Sequence, residues 1–141
     1  MIPKHLKDSR LFVECIEALG PKVEILNQEE SDKVINLFEK RAPFYEMGSR
    51  MDWGKVEKKV SIDSPGQIIS ALKKLLPNEP DYSVYVFWND ASLPVIKTDL
   101  ETIIKSYDDV VCNGFETFMY NPEKGYVVEH YYLGEIHVGL I

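Results

Sequence analysis

The chain has 141 residues, 45% of them apolar and 28% charged, with a formal net charge of −7. That is enough for a single domain over 1–141 whose core needs no metal or disulfide staple. It excludes a transmembrane helix, because no apolar run is long enough. The opening stretch MIPKHLKDSRLF is too polar for a signal peptide, so a cytoplasmic chain is expected.

The charge is unevenly placed. Residues 1–97 hold fifteen acids and fourteen bases, whereas residues 98–141 hold eight acids and two bases. The last third therefore carries −6 of the −7. Such a field repels nucleic acid and favours a basic partner, although an acidic surface also serves solubility. Cys15 and Cys112 fit neither a disulfide framework nor a zinc pattern, and read as two reduced, buried thiols.

In chain order, DSRLFVECIEAL (8–19) predicts a helix with Leu11, Cys15, Ala18 and Leu19 on its apolar face, stopped by Gly20-Pro21. VEIL (23–26) predicts a short strand. Asn27 with Glu30 forms a capping box for a helix bearing Val34, Ile35, Leu37 and Phe38, which must end near Arg41 because Pro43 follows Ala42. PFYEMGSRMDWGK is a loop with aromatic anchors. KVEKKVSI (55–62) suits an edge strand guarded by lysines. Ser64-Pro65 with Gln67 opens a helix carrying Ile68, Ile69, Leu72, Leu75 and Leu76, closed by Pro77 and Pro80.

SVYVFW (83–88) is a strand and Asn89-Asp90 a turn. LPVIK is a short extended piece, with Pro94 implying an edge or irregular position. Thr98-x-x-Glu101 forms a third capping box, which gives Asp99 and Glu101 a structural role. Asp108 and Asp109 then fall at the C-terminal end of that helix, where negative charge is unfavourable, so a solvated turn or a partner surface must account for them. GFETFMY (114–120), YVVEHYYL (126–133) and IHVGLI (136–141) form a three-stranded antiparallel meander. The expected class is α+β: about four helices and an antiparallel sheet of at least four strands.

A two-residue loop at Leu133-Gly134 is the favoured hairpin register. It sets His130 opposite His137 with Tyr132 and Glu135 beside them. Glu129 then shares a face with Val127, Tyr131, Ile136, Val138 and Leu140, and needs a partner such as Arg50 or a tyrosine hydroxyl. A three-residue loop reverses this parity. Two histidines on one face suit acid–base nuclease chemistry, but no cation for a phosphate lies near them. No third metal ligand, phosphate loop or nucleophile motif accompanies them. Lys55, Lys58 and Lys59 beside Trp53 form an edge guard rather than an RNA surface, and Trp53 and Trp88 read as core or core rim.

RMDW (50–53), the FWNDASLPVIKTDL block, DDV (108–110) and FETFMYNPEKGYVVEHYYLGEIHVGLI together resemble immunity proteins of bacterial contact-dependent growth inhibition systems. The resemblance spans most of the chain and is most specific in its last sixty residues. It implies a cytoplasmic, non-enzymatic protein that neutralises a cognate toxin C-terminal domain, many such toxins being nucleases. No cofactor, metal, nucleic acid or membrane is expected from the residues themselves, and the resemblance supplies no catalytic residues. Carboxylates that stand in for phosphates suit such an inhibitor. The expected toxin-binding residues are Asp108, Asp109, Glu116, Glu123 and Glu135, with Tyr107 and Tyr120 as aromatic anchors and Lys55 and Lys58 at a rim. Two competing readings are a small nuclease or hydrolase using His130 and His137 with Tyr132 or Glu129, and a generic acidic protein-binding module.

Overall fold

A computed structural model describes residues 2–78 and 81–141. Pro80, one of the two prolines expected to close a helix, lies outside the described residues. The described residues form five α-helices and seven strands, in the order α1 (Arg10–Leu19), β1 (Glu24–Ile25), α2 (Gln28–Arg41), β2 (Lys59–Ile62), α3 (Ile68–Leu75), β3 (Ser83–Trp88), β4 (Ile96–Asp99), α4 (Leu100–Lys105), α5 (Tyr107–Val111), β5 (Glu116–Asn121), β6 (Tyr126–Tyr131) and β7 (Ile136–Leu140). The strands form one sheet in the order β1-β4-β3-β5-β6-β7-β2. Every neighbouring pair is antiparallel. The class is α+β, as expected.

The local signals act as their chemistry dictates. Asn27 Oδ1 accepts from the Glu30 amide at 2.8 Å, and the Glu30 carboxylate accepts from the Asn27 amide at 3.2 Å. Helix α2 ends at Arg41, with Ala42 extended (φ −81°, ψ 134°) as Pro43 requires. Gln67 accepts from the Ser64 amide at 3.0 Å, and a 3₁₀ turn over Pro65–Gln67 leads into α3. Strand β2 lies at a sheet edge, paired only with β7. Lysine at position 59 guards that edge.

The sheet is covered on both faces. One face carries Val84, Val86, Trp88, Met119, Tyr126 and Val128 against α1, α3, α4 and α5. The other carries Phe87, Phe118, Tyr120 and Val127 against α2 and the segment 43–56. All six residues of β5 are consequently buried. Phe38 of α2 anchors the second layer, with the rings of Phe87, Phe118 and Tyr120 each 5.0 Å away. Full burial of such a side chain contributes about 1.5–3 kcal/mol.

Four sequence expectations need correction. Helix α1 turns Phe12, Cys15, Ile16 and Leu19 inward, leaving Leu11 and Ala18 exposed. Both stripes have helical spacing, and the one containing the large Phe12 ring wins the core. Thr98 is not a cap but a buried residue of β4; Asp99 is the N-cap, accepting from the Thr102 amide at 2.8 Å. The helix that begins there breaks at Ser106, and a second one starts at Tyr107. Asp108 and Asp109 therefore lie in the first turn of α5, where carboxylates are favoured. Their charge needs no partner to explain it.

The fourth concerns β6–β7. Glu129 lies opposite His137 and His130 opposite Ile136. The Tyr131 amide donates to Glu135 O and the Gly134 amide to Tyr131 O, both at 2.8 Å. The loop thus has three residues, Tyr132, Leu133 and Gly134, and Gly134 takes the left-handed conformation (φ 97°) that such loops demand. The favoured two-residue register is overturned, and its reversed-parity alternative stands. His130 and His137 fall on opposite faces of the sheet, so the paired-histidine site does not exist.

Candidate interaction surface

Segment 43–56 is strapped across the sheet by carboxylates of the last third. Glu129, 0% exposed, accepts from the Met51 amide at 2.9 Å and from Trp53 Nε1 at 2.8 Å. Arg50 Nη2 stands 4.0 Å from the same carboxylate and 2.6 Å from Glu135 Oε2. The Arg50 guanidinium also lies 3.7 Å above the Tyr131 ring. Ser49 Oγ donates to Glu116 Oε1 at 2.7 Å. Trp53 stacks on His137 at 5.1 Å. Burial raises the Glu129 pKa, while the Met51 and Trp53 hydrogen bonds and Arg50 oppose the shift. The Arg50 hydrogen bond holds Glu135 below the ordinary carboxylate range. Arg50 was anticipated as a partner for Glu129; Trp53 and Met51 were not.

Trp53 needs flat backbone beneath it. Gly139 of β7 supplies that: a Cβ there would lie 2.6 Å from Trp53 Cζ3 and 3.1 Å from the Lys58 carbonyl. The strap and the β2 edge therefore converge on one residue without a side chain.

The other notable surface lies across the sheet end where β3 stops and β5 begins. An open groove of about 890 Å³ is lined there by Asp90, Asp108, Asn113, Phe115, His130 and Tyr132, among others. Phe115 is 64% exposed, Tyr132 52% and the adjoining Leu133 69%. The Phe115 and Tyr132 rings meet edge to face at 5.0 Å. No lysine or arginine lines the groove. Behind the lining residue His130, the buried Tyr107 hydroxyl stands 2.8 Å from His130 Nδ1. Burial lowers the His130 pKa against the pull of Asp108, and burial together with Asp108 raises that of Tyr107. In the tautomer that carries its proton on Nε2, neutral His130 accepts a hydrogen bond from the Tyr107 hydroxyl at Nδ1.

The expected contact residues separate into three groups. Asp108 and Asp109 are exposed, and Asp108 lines the groove. Glu135 is exposed but paired with Arg50, and exposed Glu123 sits at the opposite end of the β5–β6 hairpin. Glu116, Tyr107 and Tyr120 are buried, which takes their side chains off the surface. The Tyr120 hydroxyl accepts from Arg41 Nη1 at 3.3 Å. Phe115, Leu133 and Asp90 were missed as surface features. Exposed aromatics at strand ends read as core in the sequence, and only the loop geometry distinguishes them. Lys55 and Lys58 are exposed beside Trp53, away from the groove. Cys112 is exposed too, contrary to expectation, whereas Cys15 is buried with its thiol pushed up to about 12 by desolvation.

Among the described residues no cluster of three or more metal-ligating side chains occurs, and no helix is long and apolar enough to cross a membrane. Exposed aromatic rings beside carboxylates are the makeup of a protein-docking surface. The chain belongs to the CdiI immunity protein family: the family model described as CdiI immunity protein EcoliA0-like matches residues 9–139. The resemblance read from the sequence is thereby borne out, and the family is one of toxin-neutralising proteins of contact-dependent growth inhibition. No curated protein matches the chain significantly.

Proposed function

We propose that this chain binds and neutralises one cognate toxin domain in the cytoplasm, that the toxin is a basic nuclease, and that the acidic surface of the C-terminal half makes the contact. It acts as a stoichiometric inhibitor, not an enzyme. Family membership supports the neutralising role. The observation that carries the surface is the groove in which Asp90 and Asp108 meet exposed Phe115 and Tyr132 with no lysine or arginine among the lining residues. Carboxylates on such a surface complement a site built for phosphates, and long-range attraction speeds capture.

The acidic surplus available to a partner is narrower than the sequence count. Glu116 and Glu129 are buried, and Glu135 is neutralised by Arg50. Asp90 and Asp108 remain at the groove, and Asp109 is exposed on α5.

The test is calorimetric titration of the protein into the toxin C-terminal domain encoded beside it, at low and at high salt. One-to-one binding with a dissociation constant near or below about 10 nM, weakened by salt, is the expected result. Undetectable binding overturns the neutralising role for that pair. Tight binding that is insensitive to salt removes the acidic surface.

A further inference from the structure

We propose that the groove receives an arginine side chain of the partner, its guanidinium laid on the exposed Tyr132–Phe115 pair and its charge met by Asp108. The inference rests on the toxin-binding reading and names the chemistry that this reading leaves open.

The protein already contains the arrangement, filled from within. On the second face of the β6–β7 hairpin, Arg50 holds its Cζ over the Tyr131 ring, 3.7 Å from the centroid, and places Nη2 at 2.6 Å from Glu135. Ring, guanidinium and carboxylate form a trio. One residue further along the chain, Tyr132 points to the first face. Its ring contacts Tyr131 at 4.8 Å and Phe115 at 5.0 Å. Asp108 lines the same groove, exposed and, among the described residues, paired with no base. Here the ring and the carboxylate are present and the cation must come from outside.

Three features favour arginine over other occupants. The lining charges, Asp90 and Asp108, have one sign. The exposed rings offer faces on which a planar cation stacks, an interaction that contributes about 0.5–2 kcal/mol as water is excluded. Asp90 commits its Oδ1 to its own turn, accepting from the Ser92 amide at 2.9 Å and from Ser92 Oγ at 2.6 Å, whereas both carboxylate oxygens of Asp108 remain available to a partner. A guanidinium satisfies ring and carboxylate together, whereas a lysine ammonium is a compact, strongly hydrated point charge.

Two measurements test this. In the first, the isotopically labelled protein is titrated with N-acetyl-argininamide and, separately, with its neutral citrulline counterpart, followed by NMR. Shifts concentrated at Phe115, Tyr132, Asp108 and His130, absent at Tyr131 and absent with the citrulline compound, are the expected result. Scattered shifts, or equal shifts with both compounds, overturn the inference. In the second, Tyr132→Ala and Asp108→Asn are titrated with the toxin domain after thermal unfolding confirms a retained fold. Each is expected to raise the dissociation constant by about tenfold or more, and the double variant by less than the product because the two act on one side chain. Wild-type affinity in both variants overturns the arginine site and leaves the neutralising role standing. A wild-type protein that does not bind the toxin domain overturns that role and this inference with it.

Discussion

Glu129 Oε1 accepts the indole proton of Trp53 at 2.8 Å, joining a fully buried carboxylate of β6 to the end of the segment that covers it. Its second oxygen is held by the Met51 amide, so the buried carboxyl group meets two donors, with Arg50 at 4.0 Å. Removing one donor leaves a buried acceptor unmet. Trp53→Phe is therefore expected to cost about 1–3 kcal/mol. Glu129→Gln is expected to cost a similar amount, because the amide must turn an NH₂ toward one of two donors. Urea denaturation measures both; a loss below about 0.5 kcal/mol for each would remove Glu129 as the anchor of the strap.

Gly139→Ala tests the same junction from the opposite side. The added methyl would meet Trp53 and the Lys58 carbonyl, and backbone cannot retreat as a flexible side chain can. A destabilisation of about 1–3 kcal/mol is expected, with faster proteolysis within 43–56. If the variant matches the wild type in midpoint and cleavage pattern, the Trp53 packing against β7 is not as tight as described.

Acid sensitivity should trace to two histidines. Burial lowers the folded pKa of both His130 and His137 below 6.5, with Asp108 opposing at the first and Glu135 at the second. The unfolded chain then binds more protons than the folded one in the window between each folded value and 6.5. Stability is fully present above 6.5 and falls as pH drops through that window. Glu129, with its raised pKa, contributes the opposite slope. The comparison is thus between wild type and His130→Gln or His137→Gln: each variant should show a shallower loss of unfolding free energy between neutral and mildly acid pH. Parallel curves would refute the assignment.

Charge reversal separates surface from scaffold. Asp108→Lys/Asp109→Lys places cations in the first turn of α5, at a cost of about 1 kcal/mol or less per residue. Toxin affinity should fall by at least about tenfold, roughly 1.4 kcal/mol. Glu123→Lys, at the other end of the hairpin, should change affinity much less. Equal losses from the two sites would mean that the effect is general charge rather than the groove.

The cysteines give a simple check on the first layer. An alkylating reagent should label Cys112 alone in the native protein, slowly because burial and Asp109 raise its pKa. Both thiols should react once urea is added. Native labelling at Cys15 would contradict the packing of α1.

Much of this fold is legible in the chain because its signals are local. The capping residues Asn27 and Ser64, the stop at Pro43 and the alternation in the meander each act over a few residues. The errors arise where a choice depends on distant partners. The α1 stripe was decided by which ring the sheet accepts, and the break at Ser106 accompanies a long-range contact between Tyr107 and His130. The β6–β7 register depended on one residue of loop length, and with it the fate of both histidines. The candidate site is partly legible: Asp108 and Tyr132 stand out in the sequence, but for reasons of helix end and histidine pairing that the structure does not support. Phe115 and Leu133 could not be told from core residues until the sheet end was defined.

The position of β2 sets a schedule for biosynthesis. Its only partner in the sheet is β7, and the strap beside it is fastened by Glu116, Glu129, Glu135 and the flat backbone of Gly139. A ribosome therefore delivers residues 43–62 well before the strands that fasten them. Lysines at 55, 58 and 59 keep this waiting stretch from pairing with other chains. Because such long-range closure is slow, the protective form should emerge only after β7 has left the exit tunnel.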